Sequence, residues 1–320
     1  MRVFIAGATG VLGKRVVKGL IERGHRVTGL ARSRENEEIL ASMGAESVRA
    51  DIFNRDSMVR HVAGHDAVLH LATSIPKKNR PFRKDWAVND LLRTKGAENL
   101  IHASLANEVK AYVQESIVHL YGHRNGAEVD ERTPLAGEVP FSLRSALVME
   151  KMIRRAVEEL GLPAIVLRFG GFYGSDAHNS RTMIDGVRQG RMPVIGKGDA
   201  VWNLIHLDDA ASAVVLAVER HEGNTGRVFN IADDRPVTMR ELLETIAEMT
   251  GSKRPRSVPV WLARLAAGKD ALGFLSISVR ASNRAARKAL GWEPRYPTLR
   301  EGLRQILHSA TGDTTLRAAV

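Results

Sequence analysis

The chain has 320 residues, 44% of them hydrophobic and 26% charged, a balance that suits a folded globular protein and excludes a disordered or collagen-like one. It contains no cysteine, so disulfides, thiolate metal sites and a cysteine nucleophile are all removed. The formal charge of +11 admits an anionic partner, but with dispersed basic residues and only 4 Trp, 4 Tyr and 8 Phe to stack on bases, no nucleic-acid partner is expected.

Short apolar runs alternate with helix-length amphipathic segments through the first half. Strands are expected at Val3 to Ala6, Val27 to Leu30, Ser47 to Arg49, Ala67 to Leu71, Ala111 to Val113 and Ala164 to Leu167. Helices are expected between them, at Leu12 to Glu22, Glu35 to Met43, Ser57 to Val62, Leu91 to Ala106 and Leu143 to Leu160. This alternation is the mark of an α/β fold, a doubly wound parallel sheet with crossover helices. After one further strand at Val228 to Ile231, the segments Met239 to Met249, Trp261 to Ala267, Asn283 to Leu290 and Arg300 to His308 read as helical. The expected domains are residues 1–174 with the later strand, a mainly helical capping lobe over 175–310, and a tail over 311–320. The opening apolar run is too short for a secretion signal, and no stretch approaches roughly 20 apolar residues. A cytoplasmic location and no membrane partner are therefore expected.

Directly after the first strand comes Gly7-Ala8-Thr9-Gly10-Val11-Leu12-Gly13, opening a helix. Gly7 permits a tight turn, Gly10 lets the backbone approach a pyrophosphate, Gly13 allows close packing of helix on strand, and the helix start offers free N–H groups. In this context the loop reads as the dinucleotide site of a Rossmann-like domain. The second strand ends at Ala31-Arg32-Ser33-Arg34, without the carboxylate that binds the ribose of NAD. Arg32 and Arg34 read either as cations for a 2'-phosphate or as solvated loop charges, and the first reading favours NADP over NAD. Asp51 and Ile52 after the third strand, and Leu71, Ala72 and Thr73 after the fourth, lie where adenine and ribose would pass.

At this point the chain resembles the extended short-chain dehydrogenase/reductase family, also called the NAD-dependent epimerase/dehydratase family. The resemblance rests on the glycine opening, Asp66-Ala67-Val68-Leu69-His70-Leu71-Ala72, Leu120-Tyr121-Gly122, Leu167-Arg168, Tyr173-Gly174 and Ile205-His206-Leu207-Asp208-Asp209. It extends through Phe229-Asn230-Ile231 and Leu290-Gly291-Trp292-Glu293-Pro294. The family's Tyr-x-x-x-Lys pair falls on Ser142 and Ala146, which supply neither the acid nor the cation. The Ser or Thr expected four residues before Tyr121 is Ile117, with Ser116 adjacent. Two residues before Tyr121, where the family's dehydratases carry an acid/base Glu, stands His119. Strand alternation would point it the same way as Ile117, and an imidazole titrating near 6.5 can serve as acid or base. The candidate catalytic residues are thus His119, Ser116 and Tyr121, with His119 also readable as a loop residue without chemistry. No metal site is expected.

These features imply an atypical NADP(H)-dependent oxidoreductase acting on a small apolar or aromatic carbonyl or alcohol, with a rearranged acid/base. The alternatives are a catalytically silent NADP-binding sensor and a sugar-nucleotide epimerase or dehydratase. The segment Pro259 to Leu265, with Leu272, Phe274 and Leu275, is apolar enough to line a pocket. A basic loop over residues 77–84 reads either as a solvated, flexible loop or as a site that recruits an anionic substrate, a carrier protein or an acidic partner. By resemblance, the long helices around Leu91 to Ala106 and Leu143 to Leu160 would form a homodimer.

Overall fold

Apolar, largely β-branched runs too short to be helices form a seven-stranded sheet whose middle strands are buried on both faces, as helices on both sides of a sheet require. The computed structural model describes residues 1–78 and 80–317, with side chains through residue 308. The strands are β1 (Arg2–Ala6), β2 (Arg26–Ala31), β3 (Glu46–Arg49), β4 (Ala67–His70), β5 (Ala111–Ile117), β6 (Ala164–Phe169) and β7 (Val228–Ile231). All neighbours are parallel, in the order β7-β6-β5-β4-β1-β2-β3. The order reverses between β1 and β4, where Val3 pairs with Val27 on one side and Ala67 on the other. Chains leaving the two strand ends diverge at such a switch point and open a crevice for a ligand.

The crossover helices are α1 (Val11–Glu22), α2 (Arg34–Ser42), α3 (Arg55–Val62), α4 (Ala87–Leu91, a π-helical turn at Leu92–Gly96, then Ala97–Ala106) and α5 (Phe141–Leu160). Ser33 and Asn54 start α2 and α3 by accepting the backbone N–H of Asn36 and Ser57. The later helices are α6 (His178–Arg188), α7 (Leu207–Glu219), α8 (Met239–Met249), α9 (Val260–Ala267), α10 (Lys269–Leu275), α11 (Arg284–Leu290) and α12 (Leu299–Arg317). One core packs α1 and α7 on the sheet, through Val16, Leu20, Val214 and Val218 against Ile5 and Leu69. The opposite core packs α3, α4 and α5, through Met58, Leu100 and Met149 against Phe4 and Tyr112. A third joins Trp202, Ile184, Leu242, Ile246 and Leu303 in the second half.

Three differences from the sequence-based expectations have simple causes. The second half is not strand-poor: Gly171–Tyr173 pairs with Leu204–His206, Val201–Trp202 with Val237–Thr238, Val194–Ile195 with Ser257–Val258, and Glu128–Val129 with Arg280–Ala281. Strands of two or three residues are too short to show alternation. β7 joins the central sheet as expected, but the second half also returns to the first through a helix, since α7 packs on α1. Finally, α12 runs to Arg317 where a tail over 311–320 was expected, because one glycine, Gly312, costs a helix only ~1 kcal/mol; residues 318–320 lie outside the described residues. No helix among the described residues is long and apolar enough to cross a membrane.

Candidate functional site

The switch point is lined by the glycine loop. Gly7 has φ of +94°, and a Cβ there would stand 2.6 Å from the backbone N of Ala72, so only glycine fits. A Cβ on Gly13 would stand 2.0 Å from the Gly7 carbonyl oxygen, which shows how closely α1 approaches the loop. Ala8 and Leu12 anchor the loop in the core, Thr9 is half-buried, and Gly10 and Val11 are exposed. Gly10 caps α1 without a side-chain acceptor, leaving the first N–H groups of the helix to a ligand. Leu71 and Ala72 close the opposite wall. The cradle has the shape and donors for a pyrophosphate. Arg15 tethers it from below, donating to both carboxylate oxygens of Asp176 at 2.8 and 2.9 Å and to Asp208 at 2.6 Å. The sequence reading missed that clamp, because its partners lie far along the chain.

At the end of β2, Ala31 is buried and Arg32 is exposed, with no ion-pair partner among the described residues. Ser33 is occupied as a helix cap, and Arg34 pairs with Glu38 in solvent at 3.2 Å. Asp51 is exposed and turns its carboxylate onto the Phe53 N–H at 2.9 Å. Ile52 is buried, its carbonyl accepting from Asn99 at 2.9 Å, and Thr73 is exposed.

The three residues at the β5 end separate into two environments. β5 stops at Ile117 and a 3-10 turn carries Val118 to Tyr121, so the alternation argument for the direction of His119 lapses. His119 instead lies buried under the second half, stacked on Phe274 with centroids 4.6 Å apart and set edge-on to Trp202 at 5.5 Å. Its Nδ1 is buried without a hydrogen-bond partner. Burial pushes its pKa down to about 4, correcting the expected titration near 6.5: with no carboxylate to support the cation, the ring is neutral at neutral pH. Trp202 also borders an apolar cavity of about 50 Å³ lined by Phe172, Met183 and Leu242.

Ser116 and Tyr121 belong to a buried polar frame. Ser116 Oγ donates to Glu150, and Arg168 grips the same carboxylate through Nε at 3.0 Å and Nη2 at 2.6 Å. Arg168 Nη1 donates to the Tyr121 hydroxyl at 2.8 Å, and that hydroxyl donates to Asn230 Oδ1 at 2.9 Å. Burial disfavours the Arg168 charge, but the Glu150 pair more than offsets this and holds its pKa above the usual value. Burial raises the Tyr121 pKa. Ser142 and Ala146, on α5, are buried beside this frame.

Two charged residues of this region escaped the sequence reading. Arg93 lies in the π-helical turn of α4, buried, with Nε and Nη1 unpartnered. Burial lowers its pKa against the attraction of Glu115 and Asp90, neither of which bonds to it. Glu115, buried in β5, is pushed up to about 7, since Arg93 offsets burial only in part. Asn89 Nδ2 on α4 and Ser145 Oγ on α5 are likewise buried and unpartnered. A charged residue inside each apolar run was the signal that could have found Arg93 and Glu115. Leu262 and Leu265, expected to line a pocket, are exposed together with Trp261; α9 touches the body chiefly through Ala263, while Phe274 of that segment stacks on His119.

Comparison with known proteins agrees with this geometry. The chain is 32% identical over 311 residues to a 3-diazoavenalumate denitrifying reductase of Streptomyces, covering 95% of this chain and 99% of that protein. It is 28% identical over 264 residues to a 2-alkyl-3-oxoalkanoate reductase of Shewanella oneidensis, covering 78% and 66%. Among solved structures it is similar to a UDP-glucose 4-epimerase of Thermotoga maritima, with TM-score 0.80, 24% identity, and 98% and 100% of the chains covered. It is also similar to a human epimerase family protein with NADPH, with TM-score 0.79, 22% identity, and 96% and 99% covered. The family model for NAD dependent epimerase/dehydratase proteins matches residues 3–232. A nicotinamide cofactor, oxidoreductase chemistry and a small-molecule substrate accompany that match. The chain belongs to the NAD-dependent epimerase/dehydratase family.

Proposed function

We propose that the protein is an NADP(H)-dependent oxidoreductase acting on a small apolar or aromatic carbonyl or alcohol, with His119 in place of the family's tyrosine as the group that hydrogen-bonds the substrate oxygen. The observation that carries the reading is the unpartnered Nδ1 of His119, buried between Phe274 and Trp202. A neutral imidazole among aromatic rings can give one hydrogen bond to a substrate oxygen while offering little to a nucleotide sugar. When bound, the nicotinamide would supply or accept the hydride, and the matching proton would be exchanged with solvent water. Gly7, Gly10, Gly13 and the start of α1 hold the pyrophosphate, and Arg32 takes the 2'-phosphate. Ser116 and Tyr121 act through the Glu150–Arg168 frame, fixing the turn that carries His119 rather than touching substrate. Ala31, Arg34, Asp51, Ile52 and Thr73 border the adenosine end.

A second reading is favoured by Ser142 and Ala146 together with the 32% identical relative, whose name describes reductive loss of nitrogen from a diazo compound. Replacing an aryl diazonium group by hydride releases N₂ and takes up no proton, so such a site needs no acid. Both readings are tested by following NADPH consumption with the purified protein against aromatic ketones, a 2-alkyl-3-oxo acid, an aryl diazonium salt and a sugar nucleotide. Turnover of an apolar carbonyl supports the first reading, and turnover of the diazonium salt alone replaces it with the second. Turnover of the sugar nucleotide, or tight NADPH binding without any turnover, overturns both.

A further inference from the structure

We propose that α9 and the basic loop before α4 together form a peripheral docking surface for an anionic lipid bilayer. This proposal does not depend on which reaction the site performs. Helix α9 presents its large apolar side chains to water: Trp261 and Leu265 are each 66% exposed, Val260 and Leu262 are exposed beside them, and the small Ala263 is its one buried residue. A water-soluble surface helix normally buries such a stripe. The loop alongside repeats the pattern, with Ile75 and Phe82 each 59% exposed. The two segments touch: Arg80 Nη1 donates to the Leu265 carbonyl at 3.3 Å, and the Arg80 side chain lies against Gly268.

Among the described residues, the fully exposed charges on these two segments are of one sign, Lys78 alone of them being paired with a carboxylate, that of Asp85. Lys77, Lys78, Arg80, Arg83 and Lys84 are exposed on the loop, and Arg264 is exposed on α9. The neighbouring carboxylates are already engaged, Asp85 with Lys78 and the Phe82 N–H, and Asp270 with the Phe141 N–H. A tryptophan and leucines set among lysines and arginines match the layered chemistry of a membrane surface, where rings and alkyl chains enter the acyl boundary and cations meet phosphate headgroups. A second copy of the chain is a poorer occupant, because a two-fold contact through this face would set the same cations against one another. The expectation of no membrane partner followed from the lack of a spanning segment and does not bear on peripheral contact.

The position gives the surface a use. Helix α10 follows α9 directly and carries Phe274, which covers His119. A bilayer held at α9 would therefore lie beside the roof of the site, where a membrane-dissolved apolar substrate could enter without crossing water.

The test is co-sedimentation of the full chain with phosphatidylcholine vesicles with and without phosphatidylglycerol, combined with quenching of tryptophan fluorescence by brominated lipid. Trp261 is the exposed tryptophan, Trp202 and Trp292 being buried and Trp86 half-buried, so quenching reads its insertion. Binding to anionic vesicles is expected, at least tenfold above neutral ones. Trp261→Ser with Leu265→Ser should lower it at least tenfold, as should Lys77→Glu with Lys84→Glu, while NADP affinity stays unchanged. The charge control is Lys18→Glu with Lys288→Glu, both exposed on other helices and expected to weaken binding less than threefold. The proposal is overturned by absent vesicle binding at low salt, by equal binding to neutral vesicles, or by wild-type binding of the serine variant. It is equally overturned if the control pair weakens binding as much as the loop pair, or if this face binds an acidic protein but no vesicle.

Discussion

The imidazole of His119 lies nearly parallel to the ring of Phe274, 4.6 Å away and 17° from coplanar, although one residue leaves β5 and the other closes α10. That contact joins the sheet end to the roof and decides the protonation of the histidine. With desolvation unopposed by any carboxylate, the pKa falls to about 4.

A histidine whose folded pKa lies below its unfolded value makes the unfolded chain bind more protons between those values, so stability is lost as pH falls through that window. His119, and His70, also pushed to about 4 by burial, should therefore destabilise the fold between pH ~6.5 and ~4. Denaturant unfolding at several pH values checks this. His119→Phe should remove part of the slope, at most about 3 kcal/mol across the window, and an unchanged slope would reject the assignment.

Activity should be flat in pH where His119 stays neutral, with no inflection near 6.5 from this group. His119→Gln should retain NADP binding and lose turnover by ~100-fold or more. Turnover close to wild type would remove His119 from the reaction. Ser142→Ala, by contrast, should stay within about tenfold, ~1.4 kcal/mol of barrier.

Arg32→Ala should weaken NADP(H) binding by about tenfold or more while leaving NAD(H) unchanged, since it removes a charge-assisted contact that only the 2'-phosphate can use. Calorimetric titration with both cofactors decides, and equal losses for the two would show that Arg32 acts elsewhere.

Glu150→Gln leaves the Arg168 guanidinium buried without its counter-charge and should cost ~3–5 kcal/mol of stability, read as a lower midpoint in urea. Ser116→Ala, which removes one donor to the same carboxylate, should cost about 1.5–3 kcal/mol. If the two cost the same, the frame does not depend on the ion pair.

Arg93→Met should stabilise the ligand-free protein, because a buried unpaired cation gives way to a side chain of similar length without charge. A lower thermal midpoint would show that Glu115 and Asp90 compensate the charge after all.

The linear sequence sufficed where the physics is local. Gly7 must take a positive φ, Gly13 must leave room for the Gly7 carbonyl, and apolar runs bounded by turns make strands that helices must cover. These requirements act over a few residues and mark the glycine loop and the sheet directly. The surroundings of His119 were beyond that reach. Its turn could be counted from Tyr121, but its neutrality comes from Phe274 and Trp202, brought in from distant segments. The same holds for Glu150 and Arg168, which a sequence shows only as two charges, and for Trp261 and Leu262, whose apolar character suggested a pocket while their exposure faces water. Burial, and with it the lowered pKa of His119 and the raised one of Glu115, is a property of what packs against a residue, so the tertiary structure alone could decide it.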